Sequence, residues 1–236
     1  MPIQLKQFKV IAIDADDTLW DCQSHFDNAE AVYCQLLATY AGAKHVSDAL
    51  FETEKANMDS LGYGTKAFTL SLIENAVKIS EGRISGKIIA EILQLGKALL
   101  TFPTTPLLGV EDTLITLNER KTDEGYRLVV FTKGELQDQE NKLKRSGLAN
   151  YFDDIVIVSD KTEEEYRHLC VKNGIHPKEL LMIGNSFKSD IAPALSIGAI
   201  HVPFSVAWKM ELAETFDHER LITIENFRDL IAFSTL

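Results

Sequence analysis

The spacing of apolar and polar residues along the chain predicts two kinds of architecture. Residues 10–13 form a short apolar run without polar alternation, which is typical of a strand buried on both faces in a parallel sheet. From about residue 21 to residue 103 the apolar positions recur at helical spacing, with a glycine-containing break at 62–64 and a proline-bordered return at 102–106. We therefore expect a helical domain inserted after the first strand.

Beyond residue 106, helical segments alternate with short apolar runs. The helices predicted in the insert are 26–40, 48–56, 65–79 and 86–100, and after it the predicted order is helix 109–118, strand 127–132, helix 136–146, strand 155–158, helix 163–173, strand 180–184, helix 190–197 and strand 199–204. This alternation predicts an α/β fold with a doubly wound parallel sheet. The predicted domains are an α/β core domain of residues 1–20 and 104–236 and an all-helical domain of residues 21–103.

Composition narrows the class of protein. The chain has 236 residues, 45% of them apolar and 25% charged, which is ordinary for a globular protein. Its net charge of −11 argues against a general partner among nucleic acids or anionic membranes. Three unpatterned cysteines indicate reduced thiols, no signal peptide is recognisable, and no apolar run is long enough to span a bilayer. The predicted location is the cytoplasm, and nothing in the sequence predicts an oligomeric state.

Polar residues follow each of the first four predicted strands. They are Asp14 and Asp16 after the first strand, Thr132 and Lys133 at the end of the second, Lys161 after the third, and Asn185 and Asp190 after the fourth. Taken singly, each is better explained as a turn, a helix cap or a solvated charge. Because the carboxyl ends of parallel strands meet at one edge of the sheet, we expect these side chains to form one site. Acids, a hydroxyl and a lysine together suit phosphoryl transfer, which depends on positioning and charge neutralisation.

With these motifs in their order, the chain resembles the haloacid dehalogenase superfamily. The motifs are Asp14-Ala15-Asp16-Asp17-Thr18-Leu19, then Thr132, then Lys161, then Gly184-Asn185-Ser186-Phe187-Lys188-Ser189-Asp190. They extend over residues 9 to about 204. The resemblance implies a Rossmann-like core with an inserted helical cap domain.

The resemblance also implies a role for each core residue. Asp14 is expected to be the nucleophile that forms an aspartyl-phosphate, and Asp16 to protonate the leaving alcohol and then activate water. Thr132, with Lys133 beside it, is expected to bind the phosphoryl oxygens, and Lys161 to neutralise charge and hold the nucleophile.

A magnesium ion is the cofactor that the resemblance implies. Its expected ligands are the Asp14 carboxylate, the Asp16 backbone carbonyl, and the motif that contains Asn185 and Asp190. Most metal-dependent members of the family have Asp where this chain has Asn185, so we expect weaker metal binding. Other departures from the family pattern are Lys133, Thr162 and Ser189.

The leading hypothesis is a Mg²⁺-dependent phosphatase acting on a small phosphorylated metabolite. Tyr63 and Lys66, at the break within the helical insert, are expected to contact the substrate, unless this segment is a plain surface turn. Three alternatives stay open: a phosphomutase, a metal-free haloacid dehalogenase, and a binding protein on a decayed enzyme fold. Asp16 argues against the dehalogenase, because displacing halide from carbon needs no acid.

Overall fold

In the computed structural model, which describes residues 5–195, 199–201, 220–224 and 226–232, the chain divides into two units. One unit comprises the residues up to Gln23 and those from Thr104 onward, and the other is Ser24–Pro103. We call them the core unit and the helical unit. The corresponding limits predicted from the sequence are 20/21, three residues earlier than in the structure, and 103/104.

The helical unit consists of helices with a shared apolar interior. They are α1 (Gln23–Leu36), α2 (Ala43–Leu61), α3 (Thr65–Ile79) and α4 (Gly86–Leu99). Tyr33, Leu50, Leu72 and Ile92, one from each helix, are fully buried in one apolar cluster. The Tyr33 hydroxyl donates to the Leu72 carbonyl at 2.9 Å and accepts from the Asn75 amide at 2.9 Å, so its polar group is satisfied within the interior.

A parallel sheet forms the centre of the core unit. Its strands within the described ranges are β1 (Val10–Ile13), β2 (Arg127–Lys133), β3 (Asp154–Val158), β4 (Leu180–Gly184), β5 (Ala199–His201) and β6 (Leu221–Thr223), in the order β3-β2-β1-β4-β5-β6. The order reverses at β1, and in open α/β sheets the crevice at such a point is where ligands bind. Ile13 is level with Val130 on one side and Ile183 on the other, so the three central strands end close together.

The core unit also contains helices, as the alternation of helical segments and apolar runs in the sequence predicts. They are α5 (Val110–Glu124), α6 (Leu136–Ser146), α7 (Glu163–Asn173) and α8 (Asp229–Ala232). The Thr162 hydroxyl caps α7 by accepting from the Glu165 amide, and Gly147 and Gly174 end α6 and α7 with positive φ. The predicted α/β class with a doubly wound parallel sheet is therefore confirmed.

Several predicted elements differ from the observed ones. The helix expected over 48–56 is wrong in length, because α2 begins at Ala43 and continues to the break at Gly62, whose φ is +67°. Where a helix was expected over 190–197, the chain forms a single π-helical turn, Phe187–Ile191, and residues 196–198 lie outside the described part. Residues 202–204 of the expected fifth strand also lie outside it, and β6 was not predicted. In the described ranges, no helix combines the length and apolarity that a bilayer crossing needs.

Candidate active site

Asp14 is held where the central strand ends. Its backbone N–H donates to the Ile183 carbonyl at 2.8 Å, which continues the ladder between β1 and β4 by one residue. The side chain is buried, with the residue 7% exposed. Asp14 therefore lies on a rigid element at the switch point of the sheet.

A lysine joins Asp14 to a second carboxylate. Lys161 Nζ is 2.5 Å from Asp14 Oδ1 and 2.5 Å from Asp190 Oδ1, and its side chain is only 1% exposed. The Phe131 ring lies on β2 with its centroid 5.4 Å from the same nitrogen. Lys161 is thus a buried cation between two acids, not the solvated surface charge that its position alone would suggest.

The pKa values of Asp14 and Lys161 are both shifted from their usual values. Burial raises the pKa of Asp14 to about 6, helped by the negative charge of Asp190 and opposed by Lys161. Burial alone would lower the pKa of Lys161, but Asp14 and Asp190 outweigh it and raise that pKa above its usual value. The lysine is therefore a permanent cation at neutral pH, and the group tolerates two carboxylates because of it.

The π-helical turn aims Asp190 at the lysine. The Ser186 hydroxyl caps the turn by accepting from the Ser189 amide at 3.1 Å, and the Ser186 amide donates to Asp190 Oδ2 at 3.0 Å. A Cβ added to Gly184 would lie 2.3 Å from Asp190 Oδ2, so glycine is needed where β4 ends. Such π-helical turns are frequent at functional sites.

Thr18 connects Asp14 with Asn185. Its Oγ1 is 3.1 Å from Asp14 Oδ2 and 3.3 Å from Asn185 Oδ1. A hydroxyl has one hydrogen, so it donates to one of these oxygens at a time. The carboxylate oxygen of Asp14 and the amide oxygen of Asn185 thus both lie next to the Thr18 hydroxyl. The sequence predicted Asp14 and Asn185 for the site but not Thr18.

These oxygens fit a hard divalent cation. Carboxylate and amide oxygens are the ligands that Mg²⁺ prefers, and Asp14 Oδ2 and Asn185 Oδ1 supply one of each. Asp190 is at the same group but gives one oxygen to Lys161 and the other to Ser186. Within the described part of the chain, no three Asp, Glu, His or Cys side chains form a metal-holding group. The donor set fits the ion but is poorer in negative charge than three acids would be.

Asp16 has partners of its own, separate from those of Asp14. Its carboxylate accepts from Trp20 Nε1 at 2.8 Å, Gln139 Nε2 at 2.8 Å and Lys142 Nζ at 2.9 Å. Burial by itself would raise the pKa of Asp16, but Lys142, Gln139 and Trp20 outweigh it and hold this pKa below its usual value. Asp16 is therefore held as a carboxylate.

The donors on Asp16 were not among the predicted site residues. Gln139 and Lys142 lie in α6, and both are buried together with Asp138 and Leu143. The only signal in the sequence was that polar residues occupy the face of α6 on which an amphipathic helix usually places apolar ones. Trp20 is fully buried and gives no polar signal at all.

The remaining predicted residues divide between the two units. Thr132 is buried near the end of β2, and Lys133 Nζ next to it donates to the Ser189 hydroxyl at 2.7 Å. The core unit thus brings all seven predicted strand-end residues to adjoining strand ends. Tyr63 lies between α2 and α3 in the helical unit, and Lys66 is an exposed residue in the first turn of α3.

Comparisons with known proteins point to one family. A family model described as haloacid dehalogenase-like hydrolase matches residues 8–198. The crystal structure of a haloacid dehalogenase-like family hydrolase from Xanthomonas campestris is 30% identical, with a TM-score of 0.82 and coverage of 97% of this chain and 94% of that one.

Two curated relatives are phosphatases by name. The glyceraldehyde 3-phosphate phosphatase of Methanothermobacter thermautotrophicus is 26% identical over 202 residues, which are 80% of this chain and 82% of that protein. The N-acylneuraminate-9-phosphatase of Mus musculus is 32% identical over 97 residues, but the match covers only 39% of this chain and 38% of that protein.

Proposed function

Because the chain belongs to the haloacid dehalogenase-like hydrolase family, we propose that it is a phosphatase that hydrolyses a small phosphorylated metabolite. The observation that carries this proposal is the buried Lys161 between Asp14 and Asp190, next to the hydroxyl of Thr18. A nucleophilic carboxylate beside a permanent cation suits attack on an anionic phosphate ester. The phosphatase names of two relatives add support.

The reaction proceeds in two steps in this proposal. A carboxylate oxygen of Asp14 attacks phosphorus, a bond from that oxygen to phosphorus forms, and the ester bond from phosphorus to the leaving oxygen breaks. Asp16, whose pKa lies below its usual value in the resting protein, takes up a proton from solvent and gives it to the leaving oxygen, which departs as an alcohol. Asp16 then takes a proton from water, whose oxygen attacks the phosphorus of the aspartyl-phosphate and releases inorganic phosphate and free Asp14.

The neighbouring cations and hydroxyl bind the phosphoryl group in this scheme. Lys161 neutralises charge that develops on the phosphoryl oxygens and keeps Asp14 in place, as its 2.5 Å contact allows. Thr132 and Lys133, from the end of β2, bind phosphoryl oxygens. Lys133 would exchange its contact with Ser189 for one with the substrate.

Magnesium is the proposed cofactor. Asp14 Oδ2, Asn185 Oδ1 and Asp190 would hold it with the backbone carbonyl of Asp16, as the converging oxygens at Thr18 support. When bound, the ion neutralises negative charge on the phosphoryl group.

We further propose that the helical unit acts as a cap domain and supplies substrate contacts through Tyr63 and Lys66. Asp14, Lys161 and Asp190 contact one another, and in this proposal the recognition of the leaving group falls to residues of the helical unit. A cytoplasmic location is also proposed, in keeping with three buried cysteines that form no disulfide.

Hydrolysis of p-nitrophenyl phosphate with and without Mg²⁺ tests the activity, and intact-protein mass spectrometry of quenched reactions tests the intermediate. We expect a phosphoryl adduct on the wild-type protein and none on Asp14→Asn. A control reaction with 2-chloropropionate measures halide release. Halide release without phosphatase activity would show a dehalogenase instead.

A further inference from the structure

The carboxylate of Asp16 is surrounded by hydrogen-bond donors on both oxygens. Oδ1 accepts from Trp20 Nε1 at 2.8 Å and is 3.2 Å from Lys142 Nζ. Oδ2 accepts from Gln139 Nε2 at 2.8 Å and is 2.9 Å from Lys142 Nζ. A carboxylate has about four lone-pair directions, so these contacts use all of its acceptor capacity.

Two of the donors are built into the interior and have little freedom to move. The Lys142 side chain is 3% exposed and lies 3.7 Å from Asp138, one helical turn before it. The second amide hydrogen of Gln139 goes to the Lys133 carbonyl at 3.1 Å, which ties the amide to the end of β2. With both hydrogens committed, the buried Gln139 Oε1 has no hydrogen-bond partner. The amide of Gln139 thus points a donor at Asp16, although this orientation leaves its own buried oxygen unsatisfied.

Gly134 gives independent support for this placement of the Gln139 side chain. Its φ is +142°, and a Cβ at this position would lie 2.8 Å from Gln139 Nε2. The loop between β2 and α6 therefore leaves space that the Gln139 side chain fills.

We propose that Gln139 and Lys142 are positioning residues that fix the Asp16 carboxylate for the proton transfers of the reaction. They act from α6, outside the strand-end motifs, and they touch neither the nucleophile nor its lysine through any contact described above. Because all acceptor directions of Asp16 are used, Trp20, Gln139 and Lys142 hold its carboxylate in one place between transfers. This inference rests on the proposed function of Asp16 as acid and base.

Two aryl esters of nearly equal shape separate positioning from simple structural support. Phenolate is a poor leaving group that needs a proton, whereas p-nitrophenolate leaves without one. We expect Gln139→Met to lower kcat/KM for phenyl phosphate by about 10- to 100-fold, since misplacing a catalytic group by about 1 Å costs that much. The kcat/KM for p-nitrophenyl phosphate should change by less than about threefold, because the first chemical step then needs no acid.

Thermal stability separates a positioning role from a merely structural one, because a structural role would lower the midpoint of thermal unfolding of Gln139→Met. Gln139→Met removes an unsatisfied buried acceptor together with two donors, so its midpoint of thermal unfolding should stay close to that of the wild type. Lys142→Met should show the same kinetic pattern with a lower midpoint, because Asp138 and Asp16 lose their buried cation. Lys144→Met, an exposed lysine of the same helix, is the matched control and should change neither quantity.

A double-mutant cycle with Asp16→Asn completes the experiment. If Gln139 acts through Asp16, adding Gln139→Met to Asp16→Asn leaves the ratio of kcat/KM for phenyl phosphate to kcat/KM for p-nitrophenyl phosphate unchanged. Equal losses on both esters, or a gain on phenyl phosphate, would overturn the proposal. If the wild type hydrolyses neither ester, the proposed function fails. The contact between Gln139 and Asp16 is then tested by unfolding alone, in Gln139→Met, Asp16→Asn and the double variant. If the effects of the two substitutions on the unfolding constant deviate from simple multiplication by about fivefold or more, the contact is supported. If the two effects simply multiply, the proposal is overturned.

Discussion

At the residue scale, the reactivity of the site and the stability of the fold make opposite demands on Asp14. The side chain is buried beside a second carboxylate, and its pKa is raised to about 6 from 3.8. Ionising Asp14 in the folded protein therefore costs free energy that the unfolded chain does not lose. Asn185 reduces the same conflict, because an amide in place of an acid removes one negative charge beside the phosphoryl group.

The first prediction concerns Asp14→Asn. Turnover should be abolished, since an amide is a poor nucleophile. In EDTA at pH 7.5 the variant should be more stable than the wild type, on the order of 3 kcal/mol for the shift from 3.8 to about 6. Because the pKa of Asp14 is higher in the folded protein than in the unfolded chain, ionising Asp14 destabilises the wild type. This destabilisation is complete above about pH 6 and absent below about pH 4.

Denaturant unfolding of both proteins at several pH values measures this difference, and the activity assay accompanies it. A variant that keeps near-wild-type activity would rule out covalent catalysis by Asp14. A stability difference that does not shrink between pH 6 and pH 4 would contradict the electrostatic account.

The second prediction concerns the metal ligands. Asn185→Asp should move the Mg²⁺ activation curve to lower concentrations, because affinity for this ion rises with the number of carboxylates. Turnover should fall or stay equal, since the added charge repels the phosphate ester. Asp190→Ala should remove most Mg²⁺-dependent activity and leave Lys161 with a single acid.

Activity measured against Mg²⁺ concentration in the wild type and both variants checks this prediction. Binding of Mn²⁺ measured by calorimetry provides a readout that does not depend on turnover. If neither variant moves either curve, the ion is not held by this motif.

At the element scale, the sequence predicts the strands better than the contacts between them. β1 and β4 were predicted because every residue in them is apolar and both faces are buried. The π-helical turn was not, because its form depends on Ser186 capping it and on Asp190 reaching Lys161. The contact between Lys142 and Asp16 was not predicted either, since the two residues lie 126 positions apart in the sequence.

The third prediction concerns the end of β4. Gly184→Ala would place a Cβ 2.3 Å from Asp190 Oδ2 and 2.7 Å from Asp190 Cβ, so the carboxylate must leave its position beside Lys161. We expect kcat for p-nitrophenyl phosphate to fall by about 100-fold, comparable to misplacing a catalytic group by about 1 Å. The thermal midpoint should also fall, since overpacking costs about 1–3 kcal/mol.

Kinetics and thermal unfolding of Gly184→Ala check this outcome. Gly86→Ala is the control, because a Cβ there meets nothing within 4 Å and Gly86 begins α4. Wild-type kcat in Gly184→Ala would mean that Asp190 can move without consequence.

At the scale of the whole molecule, the charge balance and the division into two units bear on the substrate. The net charge of −11 repels an anionic metabolite, so attraction must come from local cations. In the core unit, Lys161 contacts two acids and Lys133 contacts Ser189. In the helical unit, Gly62 and Gly64 both have positive φ, which fixes a tight break between α2 and α3 just before Lys66.

The last prediction concerns the substrate contacts proposed for that break. A panel of phosphorylated metabolites identifies the best substrate, and Lys66→Ala and Tyr63→Ala are then compared with the wild type on that substrate and on p-nitrophenyl phosphate. Both variants should raise KM for the metabolite by about tenfold, the equivalent of one lost hydrogen bond to a charged group. The kinetic constants for p-nitrophenyl phosphate should stay within about twofold, because the phosphoryl group is bound by the core unit. Lys87→Ala removes another exposed lysine of the helical unit and serves as the control. An unchanged KM for the metabolite in both variants would show that the break is a plain surface turn, and that selectivity must be sought in other residues.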